Sequence, residues 1–304
     1  MLARIAVCLA LLFCIESPLA QTQEPSSAVQ QKLSTLANQT PEVKAYAAFL
    51  DSLDQTNPES NLKAMFAMFE RFDSSSAAVK DDAFRLFLAF YFLDVQASTE
   101  WLSQSVDADK DPRWAKCRLC GIAFDWCEGE TWAEPDADFI SRCLEFLDRN
   151  SHYRGWTESY WAIHKNSWAC DGGLSIGTEE IRGYIIRLEQ TAKWCYDVPE
   201  LKETIYGDLG WLIAAYLEGL DNTRRFEPWN GGKLSEYDKK SWESFIRENQ
   251  GSIYYPLVKA AYDSAATTGF TDNPGVRQVV GKAWDFDYTR GLIDEMLKKA
   301  AEKK

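Results

Sequence analysis

The sequence predicts an all-α protein: an array of helical hairpins, solenoid-like or αα-barrel-like, held by disulfides. Three observations predict it. Helix-start signals recur along the chain, mostly 15 to 23 residues apart, so that helix pairs repeat about every 40 residues. No stretch of strand length alternates apolar and polar residues with period two. An even set of cysteines lies downstream of an export-type amino terminus.

The elements follow in order. Thr40-Pro41-Glu42 supplies a capping hydroxyl, a proline at the first helical position and an early acid. Val43, Tyr46, Ala47, Leu50 and Leu53 then recur at helical spacing. Asn57-Pro58-Glu59 repeats the device ahead of Leu62, Met65, Phe66, Phe69 and Phe72. After Ser74-Ser75-Ser76 the chain is apolar nearly all round from Ala83 to Leu93, the pattern of a helix covered on most sides. Further starts are read at Asp111-Pro112, Glu134-Pro135, Thr157, Thr178, Val198-Pro199, Ser235, Tyr255-Pro256, Asn273-Pro274 and Asp287. Gly207 and Gly210, inside the helix that runs to Leu220, mark a close approach between helices. Residues 221–234, with Arg224-Arg225, Pro228-Trp229 and Gly231-Gly232, form the one long connection, read as a loop.

The amino terminus reads as an address. Arg4 precedes the uncharged apolar run Ile5–Ile15, and Ser17-Pro18-Leu19-Ala20 leads into polar sequence. That run is too short for a bilayer, which takes about 20 apolar residues. Residues 1–20 are therefore expected to be a secretory signal peptide, and 21–304 one α-helical domain, with 221–234 as the place where it would subdivide. No transmembrane segment is expected, and the chain is placed in the periplasm or outside the cell.

Charge narrows the partners. With 33 basic and 46 acidic side chains the formal net charge is -13. Nucleic acid is excluded by that balance, since its phosphates must be neutralised by Lys and Arg. A basic protein or a glycan is compatible with it.

Cys8 and Cys14 fall in the leader, leaving Cys117, Cys120, Cys127, Cys143, Cys170 and Cys195. In an exported chain these read as disulfides. A redox Cys-x-x-Cys at Cys117/Cys120 would need a βαβ surround, and a zinc site a second pair at matching spacing. A helical stripe of Cys117, Cys120, Phe124 and Cys127, facing Phe139, Ile140, Cys143, Phe146 and Leu147 on the next helix, predicts a bridge from Cys143 to Cys120 or Cys117. Cys170 would then pair with Cys195.

Chemistry concentrates in the middle of the chain. Nine of the 12 tryptophans lie between Trp101 and Trp211, together with both histidines. The densest stretch begins at Asn150 and His152. Within it Tyr153, Arg154, Trp156, Tyr160, Trp161 and Trp168 are candidate binding residues; His152, Glu158, His164 and Asp171 are candidate catalytic groups. One reading is an aromatic core stripe on a helix. The other is a cleft where rings stack on sugars and His or Glu moves protons, or where Glu158 and Asp171 flank a glycosidic bond. Asp107-Ala108-Asp109-Lys110-Asp111 opens like a calcium loop, but Pro112 stands at its sixth position and Arg118 at its twelfth, so it is a solvated acidic loop. Phosphate-loop, His-Glu-x-x-His and Gly-x-Ser-x-Gly motifs are absent, and no cofactor or metal is expected.

Two functions compete on these grounds. The first is an exported acidic binding protein, of inhibitor or immunity type, holding a basic partner. The alternative is an exported helical lyase or hydrolase acting on a polysaccharide or cell-wall glycan, with its site in 150–171.

Overall fold

The computed structural model describes residues 26–104, 110–127, 130–149, 151–164, 169–170, 173–194 and 199–302. The expected leader, Cys195, Trp168, Asp171 and Asn150 lie outside the described residues. Described residues are mostly helical, with little sheet, as the sequence predicts. They fall into two compact units that divide between Trp161 and Ala162.

In the first unit, α1 (Ser26–Thr35), α2 (Pro41–Asp51) and α3 (Glu59–Phe72) pack on the long α4 (Ala77–Gln104). The start signals act as read: the Thr40 hydroxyl accepts from the Val43 amide, and Pro41 takes the first helical position. Ala83, Phe84, Leu86, Phe87, Phe90 and Tyr91 of α4 are buried, which explains why its sequence is apolar on most sides. Burying a Phe or Leu side chain contributes about 1.5–3 kcal/mol, so this helix carries the core. Buried Tyr46 keeps its hydroxyl satisfied by donating to Ala64 O at 2.9 Å.

The chain then departs from the predicted helix pair. Helix α5 (Pro112–Leu119), capped by Asp111, ends before Cys120. Residues Ile122–Cys127 form β1, paired antiparallel with β2 (Glu130–Pro135) in a register from Ile122↔Pro135 to Cys127↔Glu130. Phe124 and Cys127 therefore share no helical stripe with Cys117 and Cys120. Gly121 sets the break. Its φ of +92° is strained for any residue with a Cβ, and a Cβ there would meet the Phe139 ring at 2.3 Å. Tyr91 of α4 donates its hydroxyl to Gly121 O, and Asp136 N donates to the same oxygen at 2.8 Å. The Ala133 amide donates to Thr99 Oγ1 at 3.2 Å, pinning β2 to α4. Asp136, one residue beyond the Pro135 signal, caps α6 (Ala137–Phe146), and α7 (His152–His164) follows. Thr157, read as a start, sits inside α7, where its hydroxyl bonds back to Tyr153 O at 2.6 Å.

The expected bridge from Cys143 is not formed. Cys117, Cys120 and Cys143 are buried free thiols, because a hairpin stands where the opposing helix turn was expected. Cys127 and Cys170 lie in β1 and in β3 (Ala169–Cys170), which pairs antiparallel with β4 (Gly173–Leu174), but their side chains are outside the described residues.

The second unit is built on α9 (Pro199–Glu218). Its buried run Leu212–Leu217 packs among α8 (Thr178–Trp194), α12 (Pro274–Ala283) and α13 (Phe286–Ala301). Gly210 does mark a close approach: a Cβ there would fall 2.6 Å from the Phe286 ring of α13. Helices α10 (Glu236–Glu248) and α11 (Tyr255–Ala266) complete the unit. The helix read as running to Leu220 ends at Glu218, and short antiparallel pairs follow at and within the connection read as a loop: β5 (Gly219–Leu220) with β6 (Thr223–Arg224), and β7 (Phe226–Glu227) with β8 (Lys233–Leu234). Its buried anchor is Arg225, which donates to Ala215 O and Tyr216 O at the end of α9 and pairs with Asp238 at 3.1 Å. Asp238 also accepts from the hydroxyls of Thr178 and Ser235, so both charges are answered.

Candidate functional site

Of the residues singled out in the sequence, those whose side chains are described divide between the core and an ion pair along one helix. Four residues of α7 decide this: Tyr153, Arg154, Trp156 and Glu158. Tyr153 and Trp156 are buried, 5% and 6% exposed. The Tyr153 ring meets Phe84 of α4 edge-on at 6.2 Å, with Arg85 over it at 5.8 Å. Arg154 donates to Glu158 at 3.0 Å one turn along the same helix, and to Leu147 O at 3.1 Å. Glu158 is exposed. The side chains of His152, Tyr160, Trp161 and His164 lie outside the described residues, as do Trp168 and Asp171 altogether.

A different site emerges in the first unit, on a face of α4 that the sequence reading passed over. Asp94, Ala97, Ser98 and Trp101 recur at the i, i+3, i+4, i+7 spacing of one helical face. They line a cavity of about 300 Å³ together with Thr56, Glu100 and Arg113. Asp94 is 1% exposed, and its Oδ2 has no hydrogen-bond partner. Such an atom carries a desolvation cost of about 1–3 kcal/mol that a partner would recover. Burial raises the Asp94 pKa to about 7, from the ordinary 3.8. The neighbouring Asn61 amide and the Arg113 guanidinium both pull it back down. Asn61 is fully buried and close to Asp94, yet neither of its polar atoms is aligned for a hydrogen bond.

Arg113 forms the opposite wall. Its backbone amide donates to the capping carboxylate of Asp111, which fixes the residue in the first turn of α5. The guanidinium lies 4.8 Å over the Trp101 ring and donates to Thr56 O at 3.0 Å. Among the described residues it forms no ion pair. Glu100, held by the Gln96 amide at 3.1 Å, adds a second carboxylate to the lining.

The thiols beside this cavity are quiet. Burial pushes the Cys117 thiol up to about 11 and raises that of Cys120, while Cys143 rises to about 12. A nucleophilic or redox cysteine needs the opposite shift. Among the described residues no group of His, Cys, Asp and Glu is arranged to hold a metal ion.

In the second unit a cavity of about 230 Å³ is lined by Ile186, Glu189, Gln190, Lys193, Asn249 and Ser252, among others. Glu189, raised to about 7 by burial, already accepts from the Ser252 hydroxyl. The signal for Asp94 was present in the sequence: a single acid directly after the apolar run Ala83–Leu93, with a hydroxyl and an indole on its face. Only the structure shows that Thr56, ahead of α3, and Arg113 of α5 close over that face.

No helix among the described residues is long and apolar enough to cross a membrane. No protein-family model, no curated protein and no solved structure matches this chain.

Proposed function

We propose that this protein is an exported binding protein, a scaffold of helical pairs whose acidic surface holds a basic protein partner. One observation carries the choice over a glycan-cleaving enzyme sited in 150–171. Where the aromatic and charged stretch is described, Tyr153 and Trp156 are core, and Arg154 and Glu158 satisfy each other on one helix. That is packing, not an open row of stacking rings beside a poised acid. The net charge of -13 supports the partner class, because unlike charges steer association and set its salt dependence. The apolar run Ile5–Ile15 supports export.

The immobilised chain tests the reading against an envelope extract of its own source. The expected result is retention of a basic protein, release at about 0.5 M salt, where screening is short-ranged, and unchanged retention in the His152→Ala/His164→Ala variant. Glycan cleavage by the parent chain that is lost in Glu158→Gln would overturn the binder and establish the enzyme.

A further inference from the structure

The cavity around Asp94 does not depend on a basic protein partner, and its chemistry selects another kind of ligand. We propose that it binds a small zwitterion of the amino-acid class, with Asp94 receiving the ammonium group and Arg113 the carboxylate.

Each wall excludes a simpler ligand. A bare anion would meet Arg113 but also Asp94 and Glu100. A bare cation would be repelled by Arg113, which stands over Trp101 as a fixed positive wall. A ligand with both charges answers both ends. Its ammonium group answers the Asp94 carboxylate in the cavity lining, one oxygen of which has no hydrogen-bond partner. Its carboxylate takes guanidinium N–H donors beyond the one given to Thr56 O. The size agrees: about 300 Å³ lies at the lower end of small-molecule sites. Ser98 and Thr56 bring further hydroxyls to the lining, and the Trp101 indole offers an apolar surface for a side chain.

Calorimetry on the full chain with each of the twenty free α-amino acids tests the assignment. The expected result is that at least one binds. Its methyl ester, lacking the carboxylate charge, and its N-acetyl form, lacking the ammonium charge, should each bind at least tenfold more weakly. Asp94→Asn should weaken the free amino acid at least tenfold. Arg113→Gln should remove the difference between acid and ester. Arg154→Gln, outside the cavity, should bind as the parent does.

Failure of all twenty to bind the folded parent overturns the proposal. So does equal binding of ester, N-acetyl form and free acid. Parent-like affinity in an Asp94→Asn variant with a native circular dichroism spectrum overturns it as well. Should Asp94→Asn not fold, the ligand series on the parent and Arg113→Gln decide. Retention of a basic protein is unaffected by Asp94→Asn in every case, so the two readings fail separately.

Discussion

Asp94 and Glu189 give this protein a measurable dependence on pH. Burial raises both carboxyls to about 7, from ordinary values of 3.8 and 4.5. Between those limits the folded chain keeps protons that the unfolded chain has released. Stability from these groups is therefore fully present below the ordinary values and is lost as pH rises through about 7. Inside the window each group costs up to about 1.4 kcal/mol per pH unit. Carboxyls that shift the other way, such as Asp54 and Glu59, are exposed and act at lower pH. The urea midpoint is expected to fall between pH 5 and pH 7.5, with a shallower fall in Asp94→Asn. A midpoint that rises across this range contradicts the burial of these groups.

The thiols make a second test at single residues. Cys117, Cys120 and Cys143 are free and buried, with Cys117 pushed up to about 11 and Cys143 to about 12. They are expected to resist iodoacetamide in the native protein, because the thiolate is the nucleophile and burial suppresses it. After denaturation without reductant all three should be alkylated. A mass-mapped bridge joining any two of them would restore the disulfide reading for this unit.

At the level of elements, the hairpin between α5 and α6 depends on Gly121. Gly121→Ala places a Cβ at positive φ and into the Phe139 ring, so a loss of about 1–3 kcal/mol is expected. Gly183 in α8 is the contrasting case: nothing lies within 4 Å of an added Cβ. There Gly→Ala should stabilise by about 0.5–1 kcal/mol through helix propensity. Thermal denaturation of the two variants reads both signs, and equal shifts would mean that Gly121 is not a fixed turn.

The same hairpin shows why element reading failed locally. Ile122, Phe124 and Trp126 alternate with the smaller Ala123, Asp125 and Cys127, an alternation of size that is not the apolar–polar period of two. Over so few residues Cys117, Cys120, Phe124 and Cys127 fit a helical period equally well. A backbone break at Gly121 and the docking of β2 on α4 chose between them. Helix starts were more legible, because capping is local chemistry. Thr40, Asp111, Ser235 and Asn273 each accept from the amides that open their helices.

For the whole molecule the charge of -13 sets the expectation. Affinity for a basic partner should fall steeply with ionic strength, whereas binding in the Asp94 cavity should respond weakly, since Asp94 is shielded from solvent. Measuring both across a salt series separates surface capture from cavity binding. Parallel salt dependences would mean that the two share one acidic surface.

The sequence by itself determined the helical class, the positions of most helix starts and the net charge, because periodicity, capping and composition are properties of neighbouring residues and of counts. Tertiary structure decided which polar residues meet. The chemically dense stretch from His152 onward drew attention by composition, but folding put Tyr153 and Trp156 into the core and closed Arg154 on Glu158. Asp94 looked like one acid among 46. Packing by elements distant in sequence buried it opposite Arg113, and burial, which no local pattern encodes, gave it both an unanswered oxygen and a pKa near 7.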